Sequence, residues 1–314
     1  MSRRVLISGS VAFDTIMVFE GHFKDHILPD RTHMLNVSFL TPRLKREYGG
    51  CAANIAFNLA ALGGQAVVLA TVGHDGGEYV QHLAQHGVDV TQVRQLDNQF
   101  TAQAFITTDL ADNQIVAFHP GAMSEGHAVR VAQAAAGAAW GIVAPNGKAA
   151  MQQHAREFAE QRIPYIFDPG QGLPMFDGAE LRALIEPATA VTVNDYEAGV
   201  LCERTGWSEA EIAAKVQTLI VTRGGEGSRL HHGGRTVDIA PVAISRAVDP
   251  TGCGDAYRGG LLYGLAQGWD WADAARLGSV IGAIKIEQQG AQNHRLERDE
   301  VARRFRETYG RSPL

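Results

Sequence analysis

"PYIFDPGQGLPMFDGAELRALIEPATAVTVNDYEAGVLCERTG", residues 164–206, sets the plan of the chain. "PYIF" and "ATAVTVN" are short apolar runs rich in β-branched and aromatic residues, which predicts buried strands. "GAELRALIE" and "YEAGVLCERTG" carry helical spacing, and the second stops at a glycine. Strand, helix, strand, helix in so short a span predicts parallel strands joined by crossover helices.

The alternation continues on both sides. Upstream, "WGIVAP" (140–145) reads as a strand and "AAMQQHAREFAEQ" (149–161) as a helix. Downstream come the helix "EAEIAAKVQ" (209–217), the strand "TLIVTRGG" (218–225) and a hairpin in "GSRLHHGGRTVDIA" (227–240). At the N-terminus "RRVLISGS" is a strand ending in a glycine turn. "CAANIAFNLAALGG" (51–64) is a small-residue helix, "QAVVLATVG" (65–73) a strand and "DGGEYVQHLAQHG" (75–87) a helix. Two long helices are expected near 254–267 and 271–288. The fold class is therefore α/β, a mostly parallel central sheet flanked by helices on both faces. Two segments break the rhythm. Residues 15–48 hold uneven β-like runs such as "HMLNVSFL", and 98–119 alternate and turn at "DLADN". Both are assigned to a small separate β-sheet over the site; the length alone suits about two domains, although α/β folds of this size are often one unit.

Composition narrows the function classes. The chain has 314 residues, 45% hydrophobic and 20% charged, with a net charge of −6. Without a basic stripe, nucleic acid is not an expected partner. The alanine-rich stretch 131–145 is too short for a membrane span of about 20 apolar residues. Cys51, Cys202 and Cys253 match neither a zinc pattern nor a disulfide framework, and they suit a reducing, cytoplasmic setting. His82 and His86 could share a helix face but have no third ligand nearby. His231 and His232 are placed in a solvated turn.

"DPTGCGDAYRGG", residues 249–260, carries the chemistry. Gly252, Cys253 and Gly254 let backbone N–H groups converge, and the following helix adds its positive end, so the loop suits a phosphate or a developing oxyanion. Asp255 in that loop is either a helix cap or a carboxylate set to take a hydroxyl proton. The field of the helix argues for a weakened base. No Walker-type loop exists, because "APNGKAAM" lacks the leading glycine and the Ser/Thr. No dinucleotide fingerprint exists either, because "GCGDAY" ends in tyrosine.

This loop resembles the C-terminal signature of the ribokinase-like, or PfkB, carbohydrate kinases. "GGCAANIAFNLAALGGQAVVLATVG" (49–73) resembles their N-terminal signature, with Gly63 and Gly73 at the expected spacings. The resemblance covers nearly the whole chain and implies a single domain spanning 1–314, with segments of about 15–48 and 98–119 forming a small β-sheet lid. It implies ATP-dependent transfer of the γ-phosphoryl group to a sugar-type hydroxyl, with Asp255 as base and Gly252, Cys253 and Gly254 as anion hole. Cys253 stands where the family usually has alanine and could add oxidant sensitivity. Asp14, Gly50 and Asn54 match the acceptor contacts; read alone, Asp14 suits a turn and Asn54 a helix cap. "NDYE" resembles the N-x-x-E motif, which implies Asn194 on phosphate and Glu197 on the water shell of Mg²⁺; alternatively it is a helix start with an acidic first turn. "TRGGEG" implies nucleotide contacts from Thr222, Gly224 and Gly227, and the helix 277–289 with the turn "GAQNH" (290–294) would wall the adenine. A monovalent cation, K⁺, is implied beside Asp249 and Thr251.

Three features lean toward the nucleoside branch: "FHPGAM" with Met123, Arg258 in "DAYRGG", and "FDPGQG" with Gln171 able to meet a base edge. Phe13, Met17, Phe39, Phe100, Phe118 and Met123 could wall a base, although several would simply pack the lid sheet. Arg258 is equally suited to a surface position. The expected activity is an ATP:nucleoside 5′-phosphotransferase; a kinase of free ribose or fructose is the alternative. The partners are these small molecules, and an exposed lid edge could pair two copies into a homodimer.

Overall fold

The computed structural model describes residues 3–27 and 36–311. In chain order the first half contains β1 (Arg4–Ser8), β2 (Ala12–Val18), β3 (Arg43–Gly49), α1 (Cys51–Ala61), β4 (Gln65–Gly73), α2 (Gly77–Gln85), β5 (Val93–Leu96), β6 (Ala102–Thr108) and β7 (Gln114–His119). The second half contains β8 (Ala138–Val143), α3 (Lys148–Glu160), β9 (Tyr165–Phe167), α4 (Gly178–Ile185), β10 (Ala190–Asn194), α5 (Asp195–Thr205), α6 (Glu209–Lys215), β11 (Thr218–Thr222), β12 (Ser228–His232), β13 (Arg235–Ile239), α7 (Cys253–Ala266), α8 (Trp271–Ile286) and α9 (Arg298–Tyr309).

Among the described residues the large sheet has nine strands in the order β13-β12-β11-β10-β9-β8-β1-β4-β5. All neighbours from β11 to β5 pair in parallel, and the β12–β13 hairpin closes one edge antiparallel. Side chains alternate across the two faces of each strand. In β1, Val5 and Ile7 join the core beneath α1 and α7, while Leu6 joins the core on the side of α3 and α4. All three are fully buried, which is why the run is continuously apolar. Helix starts follow the sequence: Asp177, Asn194 and Ser208 each close a capping box with a glutamate at N3.

The small sheet runs β3-β2-β6-β7. Its central pair, β2 with β6, is parallel, and the outer pairs are antiparallel. Its strands arise from the two segments that break the βα rhythm, although β2 starts earlier than expected, at Ala12. The apolar run "HMLNVSFL" does not supply a strand: residues 36–40 have no strand structure, and 33–35 lie outside the described residues. Phe39 instead packs on Phe19 and Phe23, with ring centroids 4.9 and 5.0 Å away. His231 and His232 lie in β12 rather than in the turn, which is made by Gly233 and Gly234. His231 pairs with Glu209 (2.6 Å), and His232 with Thr218 (2.8 Å).

Two neighbouring glycines of α7 bring the helices of the site together. A Cβ on Gly259 would lie 2.7 Å from Asn58 Cβ of α1, and one on Gly260 would lie 3.0 Å from Gly278 Cα of α8. Any side chain there would push α7 away from α1, and with it the first turn that carries Asp255. No described helix is long and apolar enough to cross a membrane.

Candidate active site

The residues singled out by sequence collect beyond the carboxyl ends of the parallel strands, where open α/β sheets bind ligands. β1 ends at Ser8, and the Ser10 carbonyl accepts from the N–H of Ala52 at 3.0 Å, docking the start of α1. Gly50, the residue before α1, has φ +88°, and a Cβ there would fall 2.6 Å from the Ala12 nitrogen. Only glycine allows that approach.

Asn54 is buried inside α1 rather than at its cap, and its Nδ2 donates to Asp255 Oδ2 at 2.8 Å. Residues 201 positions apart in sequence thus meet because α1 packs on α7. Asp14 lies within β2, not in a turn. It shares a row of the small sheet with Glu47, Ala104 and Phe118. A Cβ on Gly49 would lie 2.5 Å from the Asp14 carboxylate, so the bare glycine backbone leaves room for that group.

Asp255 is not the helix cap. Gly252 holds that position in the left-handed conformation, φ +76°, and Asp255 stands two residues into the first turn of α7. Its carboxylate is turned to Asn54 instead of to the helix amides. The expectation of a weakened base is also reversed. Burial pushes the Asp255 carboxyl up to about 6, against the lowering effects of the Asn54 hydrogen bond and the Arg258 charge. Desolvation penalises the charged form more than the helix end favours it. Asp14 is raised to about 6 as well, first by burial and then by the negative charge of Asp255. The two acids share one electrostatic environment.

The anion-hole loop is partly closed on itself. The Cys253 N–H donates to Pro250 O at 3.1 Å, so this amide belongs to the turn. The Gly254 and Asp255 amides lie in the first helical turn, where N–H groups have no intrahelical acceptor. Burial lifts the Cys253 thiol to about 11, which favours the protonated over the more reactive thiolate form.

On the other side of this loop is a cleft of about 530 Å³, lined by Thr222, Gly224, Gly227, Cys253 and Gly254 together with Val242, Ile244, Tyr257, Ser279 and Ile286. Its lining combines glycine backbone and the Thr222 and Ser279 hydroxyls with apolar side chains. The helix 277–289 contributes to this wall as expected. The turn 290–294 does not: it packs on the acceptor side, where Gln292 donates to Asn54 Oδ1 and His294 bonds Asn58 Oδ1. Asn194 and Glu197 form the capping box of α5, the structural alternative to a ligand role. Glu197 lies close enough for its negative charge to push the Asp255 and Asp168 carboxyls upward, a smaller effect than their burial.

A family model described as pfkB family carbohydrate kinase matches residues 11–298. The chain belongs to that family. Among solved structures, Burkholderia thailandensis nucleoside kinase in complex with inosine is 50% identical to it, with a TM-score of 0.88 over 98% of this chain and 99% of that one. The same enzyme in complex with ADP-inosine is 51% identical, with a TM-score of 0.86 over 98% and 97%. A nucleoside kinase of Methanothermobacter thermautotrophicus is 29% identical over 99% of this chain and 98% of its own.

Within this family frame the aromatic wall is narrower than the sequence suggested. Register puts Phe118 and Val116 on the Asp14 face of the small sheet with Ile16 and Ile106. Phe13 and Met17 point to the opposite face. Phe13 is buried against Tyr79 and covered by the Arg46 guanidinium, 3.4 Å from its ring centroid. Phe100 is exposed against His74. Met123 is half-buried and Gln171 exposed, each on a short 3₁₀ segment; no described hydrogen bond joins either side chain to Asp14, Asn54 or Asp255. His82 stacks on Tyr48, and His86 packs at a tilt against both His82 and Phe57.

The largest feature missed by sequence reading is the pair behind Asp255. Arg258 is buried, not on the surface. Its guanidinium pairs through Nε and Nη2 with Asp168, the latter at 2.9 Å, and Nη1 donates to Gly254 O at 3.1 Å. Gln292 was missed as well, since nothing in its local pattern points to Asn54.

Proposed function

We propose that the chain is an ATP-dependent nucleoside kinase, transferring the γ-phosphoryl group to the 5′-hydroxyl of a ribonucleoside. The observation that carries this reading is the Asn54–Asp255 contact at 2.8 Å, which holds a half-buried carboxylate of the first turn of α7 against the proposed acceptor residue. Asp14 and Asn54 hold the ribose hydroxyls, with Gly50 giving backbone approach. Asp255 takes the 5′-hydroxyl proton as the new phosphorus–oxygen bond forms. Gly252 permits the turn, and the Gly254 and Asp255 amides stabilise the transferring group. Such positioned dipoles account for most of the catalysis in phosphoryl transfer.

ATP lies in the cleft beyond the loop, with Asn194, Thr222, Gly224 and Gly227 along its phosphates. One Glu197 oxygen accepts the Asn194 N–H, and no described cation pairs with its carboxylate, so Glu197 fits a water-mediated Mg²⁺ contact. Bound there, Mg²⁺ would neutralise triphosphate charge. Met123 and Gln171 are assigned to the base. The nucleoside preference is supported by half-identity to an enzyme solved with inosine and by the apolar Ile16, Ile106, Val116 and Phe118 on the Asp14 face. We read residues 1–314 as one kinase domain with the small sheet as its lid, closing to exclude water, in a cytoplasmic setting that suits three free thiols.

ADP release with Mg-ATP across adenosine, inosine, guanosine, cytidine, ribose and fructose tests the acceptor. At least one nucleoside is expected to exceed both sugars in kcat/KM; a sugar faster than every nucleoside would make this a free-sugar kinase. The lid also predicts a homodimer, because Leu44, Phe105 and Ile115 lie exposed on its outer face. Sedimentation should give twice the 33.8 kDa chain mass, and a Phe105→Glu, Ile115→Glu variant should give the monomer. A monomeric wild type at micromolar concentration would remove the dimer.

A further inference from the structure

Lys285 is completely buried at the end of α8, a rare place for an ammonium group. Its Nζ donates to the backbone oxygen of Asp249 at 2.6 Å and stands 3.9 Å from Asp249 Oδ2. The same backbone oxygen lies 3.8 Å from Cys253 Sγ. The carboxylate is otherwise filled by N–H donors: Thr251 at 2.9 Å, Gly290 at 2.8 Å and the Gln289 amide at 3.1 Å. Val248 and Asp249 in turn donate to the Ile286 carbonyl. One positive group therefore ties the irregular segment that enters the loop before α7 to the negative end of α8, which itself favours a cation.

Potassium at Asp249 and Thr251, implied by the family resemblance, does not fit this arrangement. A monovalent ion would need the oxygens that Lys285 already holds. It would also bring a second positive charge into a dry pocket that contains one carboxylate, against the cost of burying unpaired charge. We infer that Lys285 is the built-in cation of the loop before α7, standing where potassium would stand and making turnover independent of added monovalent ions. Lys285 is a positioning residue: it fixes the Asp249 carbonyl, from which the turn runs through Gly252 to the amides that hold the phosphoryl group. The inference rests on the kinase reading of that loop.

The test compares wild type and Lys285→Met in choline, sodium, potassium and ammonium chlorides at constant ionic strength, reading nucleoside-dependent ADP release and melting temperature. Wild type should vary by no more than about twofold across the salts, because at equal ionic strength general screening is the same in each. Lys285→Met should lose about tenfold or more in kcat in choline, through a displaced loop, and recover most of it in potassium or ammonium. Its melting temperature should rise by about 2–4 °C when potassium replaces choline, as expected for an ion bound to the folded state; that of wild type should not.

Strong potassium stimulation of wild type would overturn the inference. So would a folded Lys285→Met with unchanged turnover, or a loss that no monovalent ion restores. If Lys285→Met does not fold, the wild-type salt series decides, together with thallium soaked into wild-type crystals: an anomalous peak at Asp249 overturns the inference, and none there supports it. Absence of turnover with every nucleoside in every salt would defeat the kinase reading instead, and the melting and thallium measurements would still decide the role of Lys285.

Discussion

Asp255→Asn is expected to lower kcat by about 10²–10⁴-fold, the usual contribution of a positioned general base, while nucleoside affinity stays within a few-fold of wild type. The amide keeps the shape of the carboxylate, and its oxygen can still accept from Asn54 Nδ2, so the acceptor pocket and the anion hole survive. What disappears is a group able to receive the 5′-hydroxyl proton. The wild-type pH profile should show the same group. With Asp255 and Asp14 both held near 6, kcat/KM should fall as pH drops through about that value. The limb belongs to the interacting pair rather than to either acid. Stability should move the other way. A carboxyl raised in the native state binds its proton more tightly folded than unfolded, so its favourable contribution is full at low pH and is lost as pH rises toward 6. At neutral pH the charged, half-buried Asp255 works against folding, and Asp255→Asn should melt higher than wild type there but not near pH 4, as functional sites often show. Wild-type turnover in Asp255→Asn would remove the base assignment, whatever its stability.

The layered sheet was legible because its signals are local. The continuous apolar runs of β1, β4 and β10 need burial on both faces, and the capping residues before α4, α5 and α6 are fixed by their own first turns. The turn before α7 was legible because its left-handed Gly252 and the helix start that follows restrict residue type. Signals failed where the deciding partner is distant. "HMLNVSFL" has apolar character suited to a strand, yet residues 36–40 pair with none, and Phe39 joins an aromatic cluster instead. The short β5 has no apolar alternation and exists because the edge of β4 is available. The raised carboxyls of Asp14 and Asp255 depend on burial created by packing the small sheet and α1 against α7. Arg258 reads as a surface residue in its own helix; only the crossing from β9 brings Asp168 to it.

Asp168→Ala should destabilise the protein by about 3–5 kcal/mol, the cost of leaving a buried charge without its partner. Both side chains are almost wholly enclosed, at 7% and 3% exposure, so solvent cannot replace the lost contact. Burial drives the Asp168 carboxyl upward while the guanidinium opposes it, and Asp168 in turn holds Arg258 up against its own burial. Urea unfolding would read the loss. A double variant, Asp168→Leu with Arg258→Met, removes both charges at similar volume, and buried pairs exchanged in this way are often neutral or better in stability. It separates two roles that a single substitution confounds. The third guanidinium contact goes to the Gly254 carbonyl, inside the turn that presents the anion-hole amides. If the pair serves that turn, the double variant should regain its unfolding midpoint yet remain slow, with kcat lowered more than nucleoside KM is raised. Recovery of both stability and turnover would mean that Arg258 only fills and neutralises the space behind the loop, and that Gly252 and the helix suffice to hold the amides in place.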